Sequence, residues 1–243
     1  VGFPARFGQS QFAISRGNAF EAQVKANGCA ELLRLLREVL GLSIPEVAYD
    51  DLASGAGQER QDVRYARTRQ MLVRAVEGGD WARTLFDHPL LRLDVAGQPV
   101  YLEPDLIAFQ IDGRFHIVEI KSFAVIDGQA DPSKVSAAAI QAAVYVLAMR
   151  QMAAELGHDP EIVSHEVVLV CPKDFANQPV AHLIDVRKQL AVLRRQLSRM
   201  EWIDNLLAGL PPDLTFDLVP DASGTPTRDP ADLTDALCAV PAR

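Results

Sequence analysis

Asp105, Glu119 and Lys121 are the residues whose types and spacing most plainly point to chemistry. Pro104-Asp105 is followed, after thirteen residues, by Glu119-Ile120-Lys121. The stretches 100–111 and 114–121 read as two strands joined around Asp112-Gly113, a hairpin signal. Strand alternation puts Glu119 and Lys121 on one face and turns Val118 and Ile120 to the other. The turn decides where Asp105 lies. A two-residue turn would pair it with Ile120. A three-residue loop, Ile111-Asp112-Gly113 with Gly113 left-handed, pairs Gln110 with Arg114 and Asp105 with Glu119. In that second register the two carboxylates have Cβ atoms roughly 5 Å apart. Like charges so placed repel unless a cation lies between them. Oxygen ligands of this kind suit Mg²⁺ or Mn²⁺. Lys121 can then hold a nucleophilic water or a phosphate beside the metal. The plain alternative is a solvated strand face carrying an ordinary Asp, Glu and Lys.

Two further groups fall in a suggestive order. Gln141 and Tyr145 sit at i and i+4 of a long helix, so they share a face. An amide and a phenol there can position a phosphate or stack on a base; a helix edge with a half-buried Tyr is the competing reading. Near the N-terminus stands Arg16-Gly17-Asn18-Ala19-Phe20-Glu21, in which Asn18 and Glu21 also have capping-box spacing.

Taken together, Glu21 in its RG-x-x-FE setting, Pro104-Asp105, Glu119-x-Lys121 and Gln141-x-x-x-Tyr145 resemble the successive motifs of the PD-(D/E)XK nucleases. The order is most similar to the RecB-like branch, which includes CRISPR-associated RecB-like exonucleases, and covers roughly residues 15–200. The resemblance implies a restriction-endonuclease-like α/β fold, a central mixed sheet flanked by helices, and metal-dependent hydrolysis of phosphodiester bonds. It makes Asp105, Glu119 and the main-chain carbonyl of Ile120 metal ligands, with Glu21 where many RecB-like members have His. It makes Lys121 the catalytic lysine, and Gln141 and Tyr145 organisers of substrate and site. Some RecB-like members hold an iron–sulfur cluster on four cysteines. Cys29, Cys171 and Cys238 do not supply four thiolates, so no such cluster is expected from them.

The elements that must position these groups are legible in outline. Helices are expected over 18–26 and 29–40, broken at Gly28, and over 58–77. Short apolar runs at 84–95 precede the two strands of the hairpin. Asp131-Pro132 marks a helix start, with Asp as the cap and Pro in the first turn, and that helix runs to about Gly157. Strands at 163–170 and 179–185 and a helix at 186–208 follow. The order is that of an α/β domain around one mixed sheet. Residues 1–210 are expected to form the nuclease-like domain. The stretch 211–243, rich in Pro, Asp, Gly and Thr, is expected to be a connector and tail. The chain opens on Val1, as expected of a fragment or of a chain lacking its ends.

Composition narrows the partners. The 243 residues carry 24 basic and 32 acidic side chains, a formal net charge of -8 with five His taken as neutral. That argues against an indiscriminate nucleic-acid coat protein but leaves room for a local basic path. Arg60, Arg64 and Arg67, at helical spacing, and Arg16 are candidates to track DNA phosphates; solvated helix faces with intrahelical ion pairs are the alternative. No apolar run of roughly 18 residues is read from the sequence, so no membrane contact is expected. Cysteine usage suits a reducing cytoplasm. There is no phosphate-binding Gly-rich loop, so any helicase motor working with the protein belongs to another subunit or domain. The expectation is a Mg²⁺- or Mn²⁺-dependent deoxyribonuclease of repair, recombination or phage defence. The alternative is the same fold without catalysis, binding nucleic acid or a partner subunit.

Overall fold

The computed structural model describes residues 11–41, 48–52, 60–78, 84–111, 113–174 and 176–208. The expected connector 211–243 and Cys238 lie outside them. Residues up to Leu93 and from Pro99 to Leu193 form one compact unit; Asp94–Gln98 and the chain from Arg194 onward fall to a second. The sheet and the candidate site belong to the first.

Helix α1 spans Gln11–Leu40 and is interrupted at Ala26–Cys29, where Asn27, Gly28 and Cys29 all have positive φ. The break sits at the expected glycine, although the helix begins earlier than position 18. Strand β1 (Ala48–Asp51), helix α2 (Gln61–Glu77) and strand β2 (Thr84–Asp87) follow. Then come β3 (Leu91–Val95), β4 (Gln98–Leu102), β5 (Leu106–Ile111) and β6 (Arg114–Ile120). Helix α3 (Pro132–Glu155), a short 3-10 turn at Pro160–Ile162, strands β7 (Glu166–Lys173) and β8 (Gln178–Asp185), and helix α4 (Arg187–Ala208) complete the order.

Six strands make one mixed sheet in the order β1-β2-β5-β6-β7-β8, while β3 and β4 pair separately. The β1–β2 and β6–β7 pairs are parallel, and β2–β5, β5–β6 and β7–β8 are antiparallel. A mixed sheet with helices on its faces is consistent with the restriction-endonuclease-like fold expected from the sequence. On one face, Phe20, Val24, Leu32 and Leu36 of α1 pack with Val118, Ile120, Val168 and Val170. On the other, Ala138 of α3 packs with Leu169 and Cys171. The alternation of Val168, Leu169 and Val170 between the two layers is the period-2 pattern of a strand buried on both sides.

Three expectations change. The stretch 100–111 is two strands, not one. Pro104 has no N–H to give a ladder, and the chain breaks at Glu103-Pro104-Asp105, so β4 leaves with β3 and β5 enters the main sheet. A four-residue strand, β1, was not expected at 48–51; it is too short to show a period. Helix α3 has the length and apolar composition of a membrane span, contrary to the sequence reading, with 61% of its most apolar window buried inside the fold. Its start is as expected: Asp131 accepts hydrogen bonds from the backbone N–H groups of Ser133 and Lys134, and Pro132 follows it.

Candidate active site

The β5–β6 hairpin sets the acid pair. Its turn is tight, with Ile111 opposite Arg114, and Gly113 takes the left-handed conformation at φ 72°. The register then shifts between Phe109 and Ile111, so that Phe109 faces Phe115 and Leu106 faces Val118. One extra residue on β5 undoes the slip that a two-residue turn would impose. A bulge thus achieves what the three-residue loop was expected to achieve. Continued one step, this register sets Asp105 across from Glu119.

Glu119 lies on a central strand and is 0% exposed. It is therefore not on a solvated face. Lys121 Nζ forms an ion pair with Glu119 Oε1, while the buried Oε2 of Glu119 has no hydrogen-bond partner. Burial, and after it the charge of Asp105, push the Glu119 carboxyl up to about 7, against the pull of Lys121. Asp105 Oδ2 accepts a hydrogen bond from the backbone N–H of Ile120 at 2.7 Å. Burial raises the Asp105 carboxyl as well; the Ile120 amide and Lys121 act in the opposite direction. The backbone N–H of Lys121 donates to the Val170 carbonyl at 2.9 Å, tying the end of β6 to β7.

Helix α3 covers this pair. Gln141 Nε2 donates to the Tyr145 hydroxyl at 2.7 Å, and Tyr145 is buried. Burial first, then the charges of Glu119 and Asp105, hold the phenol up at about 12. Gln141 and Tyr145 thus form one polar unit, whose Tyr145 end lies within electrostatic reach of the acids. Next to Lys121, Ser122 lines a cavity of about 90 Å³ together with Arg16, Phe20, Gln23, Pro172 and Asn177. Arg16 is exposed there, and Gln23 Nε2 donates to the Asn177 carbonyl at 3.0 Å.

Glu21 has company that the sequence reading did not foresee. Its Oε1 is ion-paired with Lys25 and lies 3.2 Å from His88 Nε2. His88 Nδ1 lies 3.0 Å from Asp87 Oδ1, and the Tyr49 hydroxyl donates to Asp87 Oδ2. Hydrogen bonding to His88, ahead of that to Lys25, holds Glu21 down at about 2 despite partial burial. Burial would raise Asp87, but His88, Lys25 and Tyr49 together lower it to about 2. The two carboxylates carry His88 up to about 10, Asp87 contributing most. The Oε1 of Glu21, expected as a metal ligand, is thus committed to Lys25 and His88.

Asp51, Asp87 and His88 place one ligand atom each within 4.8 Å of one another, a group capable in principle of holding a divalent metal. Strand pairing brings Asp87 opposite Leu106, beside Asp105, and the His88 N–H donates to the Asp105 carbonyl at 3.3 Å. Two sequence signals pointed this way: a Glu–Lys pair at i and i+4, and an Asp-His dipeptide closing a short apolar run.

The α2 arginines do not make a stripe that is free for phosphates. Arg64 is turned inward, pairing with Glu103 at 3.0 Å and donating to the His88 carbonyl at 3.3 Å. Arg60 is exposed and pairs with Asp62 at 3.1 Å. Arg67 is half-buried. Arg64 is corrected to a support for the segment that carries His88, because Glu103, on the linker between β4 and β5, neutralises it. Cys29 and Cys171 are free and buried; desolvation raises their thiols to about 11 and about 12.

The donor set at the acid pair fits a divalent cation. A fully buried carboxylate has Lys121 on one oxygen and no hydrogen-bond partner on the other, and a second carboxylate lies beside it. Hard oxygen donors of this kind suit Mg²⁺ or Mn²⁺.

No protein-family model matches the chain, and no curated protein matches it. Among solved structures, the chain is similar to a protein from Eubacterium rectale described as a "putative exonuclease". Identity is 15%, over 82% of this chain and 70% of that one, with a TM-score of 0.39. It is also similar to SSO0001, at 12% identity over 76% of this chain and 97% of that one, with a TM-score of 0.28. Neither likeness bears on the roles of individual residues, which rest on the geometry above.

Proposed function

We propose that this protein is a metal-dependent nuclease of the PD-(D/E)XK type, RecB-like in its motif order, that hydrolyses phosphodiester bonds in DNA. The observation that carries the reading is Glu119, a carboxylate 0% exposed with Asp105 beside it, Lys121 on one oxygen and no hydrogen bond to the other. Lys121 is one cation for two buried acids, and a buried acid left without compensation costs several kcal/mol. Asp105, Glu119 and the Ile120 carbonyl are the groups that would hold Mg²⁺ or Mn²⁺. When bound, such an ion lowers the pKa of its water and neutralises charge on the scissile phosphate.

The chain's own residues do the rest. Lys121, tied to Glu119 and 26% exposed at its side chain, is the cation that orients the attacking water and stabilises charge developing on the phosphate. Gln141 holds the Tyr145 hydroxyl, so that amide and phenol meet the substrate as one rigid polar unit. Arg16, exposed at the cavity beside Ser122, is placed to take a neighbouring phosphate. The reading places the protein in the cytoplasm, in repair, recombination or phage defence, with a helicase or other subunit as its partner.

The test is a cleavage assay with Mg²⁺ or Mn²⁺ on linear and circular DNA, single- and double-stranded, with RNA alongside. Wild type runs beside Lys121→Ala and Asp105→Ala. Metal-dependent cutting lost in both variants is the expected result. A folded wild type that cuts nothing, or cutting that survives both substitutions, overturns the reading. DNA binding without cleavage would move the protein to a non-catalytic binding module.

A further inference from the structure

Lys25 has no part in the reaction just described, yet among the described residues it is one of the most enclosed cations, with its side chain 10% exposed. Its Nζ pairs with Glu21 Oε1 and lies 2.5 Å from Asp87 Oδ1. It donates to the main-chain carbonyl of Asp105 at 3.2 Å and lies 3.4 Å from His88 Nε2. Oxygens from two carboxylates and a backbone carbonyl are hard donors of the kind that hold a divalent cation. Here an ammonium on a four-carbon stem sits among them.

We propose that Lys25 is a tethered cation that occupies Asp87 in place of a second metal ion, so that the neighbouring group Asp51, Asp87 and His88 stays free of metal while Lys25 is in place. The inference rests on the nuclease reading only for what occupies Asp105 and Glu119; the enclosure of Lys25 is independent of it. Three features support it. Lys25 brings a full positive charge to Glu21 and Asp87, which removes most of the attraction those acids would exert on an ion from solution. It is fixed by α1, whose Phe20 and Val24 are buried against the sheet, so the cation is held at little entropic cost when substrate arrives. It also touches Asp105 by the carbonyl while Ile120 holds the same residue by its carboxylate. Lys25 is therefore a positioning residue for Asp105 as well as a stand-in for an ion.

The test counts Mn²⁺ ions bound per chain, by titration calorimetry and by the spin resonance of bound Mn²⁺, in wild type, Lys25→Met, and Lys25→Met with Asp51→Asn. Methionine keeps the bulk of the stem and removes the charge. One Mn²⁺ more in Lys25→Met than in wild type, lost again when Asp51→Asn is added, is the expected result. A folded Lys25→Met that binds the same number as wild type overturns the proposal. Because the readout is an increment, wild type binding no ion would overturn the acid-pair reading and still leave Lys25 decided by its own variant. Should Lys25→Met not fold, anomalous scattering from Mn²⁺-soaked crystals of wild type decides. Lys25 still on Asp87, with no manganese among Asp51, Asp87 and His88, supports the proposal; manganese there overturns it.

Discussion

Two acid clusters meet at Asp105, and they are built on opposite principles. On one side, Glu21 and Asp87 are matched by Lys25 and His88, and both acids are held near 2. On the other, Asp105 and Glu119 have Lys121 and the Ile120 amide beside them, with Lys25 acting on Asp105 through space, and both are raised. The two clusters lie close enough for Glu21 to act on Asp105 and Glu119 through space. Burial alone does not separate them, since Asp87 is 3% exposed and Glu119 0%. What separates them is compensation. A cluster that carries its own counter-charges is complete as folded. A buried pair with a single counter-charge, Lys121, for two acids is poised for a further cation from outside, and that is where the chemistry belongs.

The sharpest way to break this contrast is to remove one charge from each side. Asp105→Asn should lower metal-dependent cleavage by about 10³-fold, the scale of losing a group that acts on transition-state charge, with no loss of melting temperature. Asp87→Asn should do the reverse. It leaves Lys25 and His88 short of a partner, and breaking a buried ion pair costs about 3–5 kcal/mol. Urea denaturation of both variants, with cleavage rates per folded molecule, checks the pair. Equal stability losses in the two would erase the distinction.

The pH dependence of the metal-free protein sharpens it further. Glu119 has its carboxyl raised to about 7 in the fold from an ordinary 4.5. The folded state therefore binds the proton more tightly, and the stability this gives is present below pH 4.5 and lost as pH rises through 7. Glu21 and Asp87 act oppositely: their contribution is present above their ordinary values and lost as pH falls through about 2. His88, raised to about 10, adds stability below 6.5 that fades as pH climbs through 10. Between pH 5 and pH 7, then, Glu119 should dominate, and stability in EDTA should fall. Glu119→Gln should flatten most of that slope. At pH 7 it should also raise the melting temperature, by roughly 2–4 °C for each kcal/mol of relieved cost. A wild-type curve in EDTA that stays level from pH 5 to pH 7 would show that Glu119 is compensated after all.

The two clusters also differ in how far the sequence announces them. The open pair is local: strand alternation and one hairpin place Asp105 against Glu119, even though the device is a bulge after a tight turn rather than a longer loop. The cap at Asp131 and the break at Gly28 are equally local signals. The closed cluster is assembled from afar. Asp87 reaches Asp105 only because β2 skips the intervening β3–β4 hairpin to pair with β5. Tyr49 arrives on a strand too short to carry a period. Arg64 has the spacing of a surface stripe, and only the fold brings Glu103 and the His88 carbonyl to it. Lys25 stands four residues after Glu21, a local spacing, but its second and third oxygens come from two other elements.

The smallest effect tests where the open side ends. Tyr145 is buried and its hydroxyl accepts from Gln141, so it borders the acid pair without neutralising it. Tyr145→Phe removes one hydroxyl and leaves the ring, and a single neutral hydrogen bond is worth about 1 kcal/mol. Cleavage should therefore fall by about 5-fold, with KM rising if the hydroxyl also meets a phosphate. Gln141→Ala should match it, because the amide acts through the same hydroxyl. The double variant should be no worse than either single one, the sign of two groups in one unit. Losses that multiply would mean that Gln141 and Tyr145 contact the substrate separately, and the open side of the site would then extend along α3 beyond the acid pair.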